Sequence, residues 1–347
     1  MKLNFLEASI GKLYIHKVGN KILEEKLILS ENAINVDDNL KEILTHYFLS
    51  SFNEYEHFNF HHSVDLNLNV VFNSIKKIFK NPDAILNESK NISKHLYDNS
   101  THPKINGGEF YVVYFNDCLF DDKRTDAIGL FKSERKDTYI EVEQSQREFD
   151  IRYKKGINID KLDKGCIIFN LQQESGFVLS IVDNVNKGRE ALYWKDDFLN
   201  VQTLNNSFHQ TNEFLGITKE FIINQLSDEI ELTKTDKIDF LNRSMNYFKE
   251  NTTFDKNDFE EKVFEGAGII ESFRNYENNF KEENEVVFED NFEISTQAVK
   301  KQARKFKSVL KLDKNFHIYI HGDRDLIEQG IDEKGRKFYK IYYEEEN

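Results

Sequence analysis

The chain of 347 residues contains only two prolines and two cysteines. With so little proline and no Gly/Ser-rich tract, a long flexible linker between parts is not expected. Cys118 and Cys166 are too few for a disulfide framework. They are also too far apart for CxxC redox chemistry or cysteine-based zinc binding, so both are expected as buried free thiols. The longest apolar runs, such as Phe110–Phe115 and Cys166–Phe169, fall far short of the roughly 20 residues that a membrane-spanning helix needs. Lys2, Asn4 and Glu7 interrupt the apolar residues at the N-terminus, which gives no secretory h-region and an expectation of a cytoplasmic protein. Positive charge is also scarce, with 47 Lys and Arg against 61 Asp and Glu and a formal charge of -14. That balance works against sequence-independent DNA affinity, which depends on lysines and arginines displacing counterions. Finally, the chain has no GxGxxG, no GxxxxGK[ST] phosphate loop, no GxSxG elbow and no HExxH.

What is present is apolar and aromatic: 39% of the residues are hydrophobic and 13% aromatic, enough to fill sizeable cores. Lys12–Val18 and Lys21–Leu29 are strand-like runs joined by Gly19-Asn20, which predicts an opening hairpin. Leu40, Ile43, Leu44, Tyr47 and Phe48 then recur at helical spacing, and two further helices carry Val71, Ile75 and Ile78, then Ile85, Ile92 and Leu96. Pro103 and Gly107-Gly108 close this block. Short strand-like segments follow at 109–116, 127–132, 138–143, 147–153, 166–171, 177–183 and 191–195. Connections too short for crossover helices predict a mostly antiparallel sheet.

Beyond about residue 204 the helical period returns. Ile238, Leu241, Met245 and Phe248 stand behind the capping-box pattern Thr233-x-x-Asp236, and Gly266-Ala-Gly268 reads as a break between helices. The end returns to strand at 316–321 and 337–343, with Asp332–Gly335 as a turn. The fold class is therefore α+β: an N-terminal hairpin, helices and a mostly antiparallel sheet over residues 1–204, then a helix-rich domain, 205–347, with a C-terminal β-hairpin.

Charge is uneven near the C-terminus. Residues 255–293 hold 13 acidic and 4 basic side chains, whereas residues 299–314 hold 7 basic and 1 acidic. One helix running through this basic stretch would align Lys300, Arg304, Lys307 and Lys311, with Val299, Phe306 and Leu310 on the buried side. Lys300, Lys301, Arg304, Lys305, Lys307 and Lys311 are thus candidate DNA contacts; the alternative is a solvated face paired with the acidic segment before it. Arg152, Lys154 and Lys155 form a second candidate basic surface, and Lys76, Lys77 and Lys80 a weaker one.

Two metal readings compete with solvated histidine: His57 and His61 four apart, with Glu54 and His62 nearby, and His317 with His321. Glu109, Asp117, Asp121, Asp122 and Asp126 surround a strand-turn-strand unit of the kind a two-metal nuclease uses. Lys132 is the nearby lysine, but it precedes Glu134 and inverts the Glu-x-Lys order. No complete ligand or catalytic set results, and neither enzymatic activity nor a cofactor is expected.

Several segments, in order, resemble the bacterial 37-kDa nucleoid-associated protein family of NdpA type. They are Lys12–Lys21, Ser93–Tyr97 through His102-Pro103 to Gly108–Phe115, Ala127–Glu134 and Gly165–Phe169. In the second half they are Tyr193-Trp194 with Phe198-Leu199, Asn246–Asn251 with Phe254-Asp255 and Phe259-Glu260, and Asp332–Gly335 with Phe338–Ile341. The middle of the early spacer, residues 53–69, is not among the resembling segments. The resemblance implies a cytoplasmic nucleoid protein associated with DNA. Three functional classes follow: direct DNA binding of low sequence specificity, an adaptor that reaches DNA through a protein partner, and a cryptic metal-dependent nuclease. Exposed aromatic strands would also suit a homodimer.

Overall fold

In the computed structural model, residues 3–52, 56–146, 148–185, 193–226, 233–284, 286–306, 309–312, 316–319, 326–343 and 345 are described. The chain divides into two units, residues 1–204 and 205–347. The strands of the first are β1 (Leu3–Asn4), β2 (Ser9–Val18), β3 (Phe58–Phe60), β4 (Gly108–Phe120), β5 (Lys123–Ser133), β6 (Asp137–Ser145), β7 (Glu148–Gly156), β8 (Lys164–Phe169), β9 (Val178–Asp183) and β10 (Val201–Thr203). Eight of them form one sheet in the order β1-β4-β5-β8-β9-β3-β10, with β2 also on β4, and every pairing is antiparallel. β6 and β7 pair with each other as a separate ribbon.

Both faces of this sheet are covered, which is why its central strands read as unbroken apolar runs. Along β4, Phe110, Val112 and Tyr114 belong to one core, with Val71, Ile75 and Ile78 of α2 (Val70–Lys80) and Ile85, Ile92 and Leu96 of α3 (Ile85–Asn99). Tyr111, Val113 and Phe115 belong to the opposite core, with Tyr47, Phe48 and Leu49 of α1 (Asp38–Leu49). Phe48 stacks on Phe131 at 4.4 Å between ring centroids. Gly129 permits this packing, since a Cβ there would lie 2.3 Å from the Phe131 ring. Leu40 and Ile43, expected on the buried face of α1, are exposed, because only the last turn of that helix lies on the sheet.

Two expectations are corrected. The opening hairpin does not form as a ribbon: β2 gives its ladder to β4, and the returning segment touches it at the single bridge Lys17–Ile28. The cause is Asn20, whose buried amide donates to the carbonyls of His102 and Ile105 at 2.8 Å each, pinning residues 19–25 away from a ribbon. The expected strand at 191–195 is a wide π-type helical segment, Tyr193–Leu199, which buries Trp194 and Phe198; residues 191 and 192 lie outside the described residues. The early spacer, for which the sequence offers no element, supplies β3, whose Phe58 and Phe60 join the core between β9 and β10.

The second unit is built from α4 (Ser207–Glu220), α5 (Lys234–Glu250), β11 (Thr253–Asp255), α6 (Lys256–Phe264), α7 (Ala267–Asn284), β12 (Asn291–Glu293) and α8 (Thr296–Ala303). Phe214 sits at its centre, with the rings of Phe254 and Phe259 at 4.4 and 5.3 Å. The Thr233–Asp236 capping box is formed at the start of α5, which buries Ile238, Leu241, Met245 and Phe248. Glu265 takes a left-handed φ of 56° between α6 and α7, so the Gly266–Gly268 region does separate two helices. Two hairpins end the chain: β13 (Val309–Leu312) with β14 (Phe316–Tyr319), and β15 (Ile327–Ile331) with β16 (Lys337–Ile341). The strands expected at 316–321 and 337–343 thus each have a nearer partner, and Asp332 closes the last turn by accepting from Lys334 and Arg336.

A buried charge cluster lies where β5 and β8 end. Lys132 and Lys164 are opposite each other across the strand pair, and both side chains are fully buried. Lys132 Nζ lies 3.1 Å from the buried Glu134 carboxylate and donates to Asn106 O at 2.8 Å, and the Tyr193 hydroxyl donates to Glu134 at 3.0 Å. Lys164 binds Asp183 at 2.8 Å. Burial pulls the Lys132 pKa down and pushes the Tyr193 hydroxyl well up. Removing one member strands the other charge. Lys132→Ala is expected to cost about 3–5 kcal/mol, whereas the paired change Lys132→Met with Glu134→Leu costs less. Urea unfolding followed by the fluorescence of Trp194, the only tryptophan and a buried one, measures both.

His57 is fully buried beside Phe120, with ring centroids 5.0 Å apart, and burial lowers its pKa from 6.5 to about 4. The folded chain then holds this ring neutral while the unfolded chain protonates it. Its contribution is complete above pH 6.5 and is lost as pH falls to about 4, a difference of about 3 kcal/mol. His57→Phe is therefore expected to flatten the acid limb of the stability profile, measured by urea unfolding between pH 7 and pH 4.

Candidate nucleic-acid interface

α8 is held by one side and leaves the other in solvent. Ser295 caps its start, and the backbone N–H of Ser295 donates to Thr211 Oγ1 on α4 at 3.0 Å. Ala298, Val299 and Gln302 are buried, and the Gln302 amide donates to Asn212 Oδ1 at 2.8 Å and to its carbonyl at 3.1 Å. The remaining side carries Lys300, Lys301 and Arg304, continued by Lys305, all exposed. Lys301 Nζ stands 5.3 Å from the Phe208 ring and Lys219 Nζ 6.0 Å from the Phe306 ring. Both Phe208 and Lys219 lie on α4, eleven residues apart and hence on one helical face. Lys219 was not among the residues singled out in the sequence, because it is an isolated cation there; packing of α8 on α4 adds it to the cluster.

The single long helix is corrected. Gln302 O accepts from both Lys305 N and Phe306 N, which closes α8, and Phe306 turns into the core. The chain then extends as β13, because Val309–Leu312 finds a ladder partner in Phe316–Tyr319. Lys311 is accordingly a strand residue opposite His317, and Lys307 lies outside the described residues. Lys300, Lys301, Arg304 and Lys305 remain together. Placement near a helix C-terminus also suits the backbone dipole, which favours cations there.

The acidic segment does not neutralise them. Its own four basic residues pair within it: Lys256 and Lys281 flank the buried Glu277 at 2.7 and 2.5 Å, Arg274 donates to Glu260 at 2.9 Å, and Lys262 pairs with Asp258 at 2.8 Å. Lys300, Lys301, Arg304 and Lys305 make no ion pair among the described residues, so their charge faces water. The other basic candidates differ. On β7, Arg152 pairs with Asp150 at 2.5 Å and Lys154 with Glu141 at 2.6 Å, while Lys155 is exposed. Lys77 pairs with Glu88 at 3.3 Å.

Several of the candidate carboxylates have structural partners. Asp121 and Asp122, at φ 48° and 59°, are the two-residue turn between β4 and β5, a left-handed conformation that Asp tolerates. Asp117 sits at the β4 bulge and accepts from Arg124 at 2.8 Å, Asp126 accepts from Tyr114 at 2.7 Å, and Glu109 pairs with Lys136 at 2.6 Å. His57 and His61 do not share a helical face, because Phe58–Phe60 between them is β3. Glu54 and His321 lie outside the described residues. Among the described residues no three His, Cys, Asp or Glu side chains are grouped to hold a metal ion. Cys118 and Cys166 are buried free thiols, and burial pushes the Cys118 thiol up to about 12.

A cleft of about 690 Å³ beside the terminal hairpins is lined by Lys234, Phe316, Lys337, Phe338 and Tyr339, with Leu312 and Gln329–Ile331. Cations and aromatic rings are the side chains that hold phosphates and bases. Among the described residues no helix is long and apolar enough to cross a membrane.

No curated protein matches the chain. The model of the nucleoid-associated protein YejK family matches residues 14–346, which includes the two-faced sheet apart from β1 and the start of β2, the helical unit and both terminal hairpins. With nearly its whole length accounted for in this way, the chain belongs to the nucleoid-associated protein YejK family.

Proposed function

We propose that this protein binds DNA directly, with low sequence specificity, through the basic end of α8, and works as a non-catalytic cytoplasmic component of the nucleoid. The observation that carries this reading is the cluster Lys300, Lys301, Arg304 and Lys305, exposed and without ion pairs among the described residues in a chain of net charge -14. Attraction to phosphates in such a chain must come from local charge, and only unneutralised cations release counterions on contact. Lys219 extends the cluster. Arg152 and Lys154 are poorer sources of affinity, because each would have to leave a carboxylate to reach a phosphate. Among the described residues no reading geometry of the helix-turn-helix kind accompanies the cluster, which fits backbone contact without base recognition.

The test is anisotropy of labelled duplex DNA titrated with protein at rising salt. Each phosphate contact contributes about 0.9 to the slope of log affinity against log salt, so changing all four residues to Gln is expected to reduce its magnitude by up to about 3.6. The melting midpoint stays near wild type, because the four side chains are solvent-exposed. An unchanged slope in the folded variant would refute the assignment. Absence of any wild-type affinity at low salt would favour the adaptor reading, in which a protein partner carries the contact to DNA.

Incubation with plasmid in Mg²⁺ or Mn²⁺ is expected to leave the DNA intact, since Glu109, Asp117 and Asp126 are engaged with Lys136, Arg124 and Tyr114 and no group of three metal-ligating side chains forms among the described residues. Cleavage abolished by Asp121→Asn or Asp122→Asn would establish the nuclease instead.

A further inference from the structure

β6 and β7 form a ribbon inserted between the neighbouring strands β5 and β8, and they pair with no other described strand. In their register Ile140 is opposite Tyr153, Val142 opposite Ile151 and Gln144 opposite Phe149. Alternation places these residues on one face. Ile140, Val142, Phe149, Ile151 and Tyr153 are exposed by 67, 59, 70, 68 and 75%. The opposite face is charged and carries two ion pairs, Glu141 with Lys154 and Asp150 with Arg152. This is the pattern of a half-buried ribbon whose apolar side has nothing described upon it. A two-stranded ribbon alone is marginal in water, and a contiguous apolar patch of this kind marks an interaction surface.

We propose that this face is a homodimer interface, in which the ribbons of two copies stack apolar side to apolar side, antiparallel about a two-fold axis. The area suffices: the five side chains leave on the order of 600 Å² uncovered per copy, and a stable interface takes about 600–1,000 Å² per partner. The charge also suits a second copy. Residues 137–156 hold five acidic and four basic side chains, a net charge of -1 in a chain of -14, so two ribbons meet without the repulsion acting between the rest of the molecules.

The row pattern is self-complementary. Along the apolar face the rows run Thr138/Lys155, Ile140/Tyr153, Val142/Ile151 and Gln144/Phe149. A two-fold axis between the middle rows sets the apolar rows on each other and brings the exposed Lys155 of each copy over the partner's Phe149, a cation against an aromatic face. DNA is the poorer occupant, because the ribbon is nearly neutral and two of its cations are already paired.

Sedimentation equilibrium of the full chain in the micromolar range is expected to give a dimer. Val142→Glu with Ile151→Glu places four carboxylates in that interface and is expected to weaken dimerisation at least about tenfold, with circular dichroism and melting midpoint unchanged, because both positions are solvent-exposed in the single chain. A second measurement uses Ile151→Cys, which lies beside the proposed axis. A short bis-maleimide is expected to link it into a covalent dimer, while Glu143→Cys on the charged face gives none. The native Cys118 and Cys166 are buried and do not compete. A wild-type monomer throughout, a double variant that dimerises like wild type, or equal linking at positions 143 and 151 would each overturn the proposal. A double variant of unchanged mass that loses DNA affinity would overturn it in favour of DNA on this face, and this outcome is separate from the fate of the α8 cluster.

Discussion

The first unit depends on a sheet that must be dry on both sides. β4, β5 and β8 each send alternate side chains into two different cores, so no position between Phe110 and Phe115 has a solvent side to retreat to. Helices have to cover both faces, and they do so with α2 and α3 on one and the end of α1 on the other. The same demand explains why charge at the strand ends is organised so tightly. Lys132 and Lys164 come out of the central pair still buried, and Glu134, Asp183 and the Tyr193 hydroxyl surround them. Asp163 completes the arrangement by accepting from the backbone N–H groups of Glu134 and Arg135 at 2.7 and 2.8 Å. That clasp lies at the root of the β6–β7 ribbon, so an element with a broad exposed apolar face grows out of a fixed base.

Electrostatics in the second unit follow a simple division. Carboxylates of residues 255–293 consume the cations within their own segment, and Glu277 holds two of them while itself fully buried. The cations that follow are left with water. An acidic chain can in this way keep a compact positive site, because among the described residues no carboxylate forms an ion pair with Lys300, Lys301, Arg304 or Lys305.

Much of this was legible in the sequence. Three helices in the first half, the antiparallel sheet, the capping box at Thr233 and the helix break at Gly266 all rest on periodicity and local hydrogen bonding, which few nearby residues decide. What was not legible depends on distant partners. Asn20 looks like a hairpin turn residue until His102 and Ile105 claim its amide. Phe58–Phe60 is too short to declare itself a strand, and only β9 and β10 make it one. The basic run beyond Ala303 reads as helix because Lys and Arg are good helix formers, yet pairing with Phe316–Tyr319 outweighs that preference. At the candidate interface the clustering of Lys300 to Lys305 was visible. The contribution of Lys219 and the neutralisation of Arg152 and Lys154 were not, since they arise from contacts between elements.

The position of β3 bears on how the molecule is made. Residues 58–60 are the neighbours of residues 179 and 201–203, so this edge of the sheet joins parts of the chain separated by well over a hundred positions. Contacts of such separation slow folding, because the loop must close before any pairing rewards it. During synthesis β2 can pair only once β4 has emerged, and β3 must wait for nearly the whole unit. Until then Phe58, Phe60 and the rim of β9 are without their cover, and the nascent chain at that stage is the form most open to aggregation and most suited to capture by a chaperone.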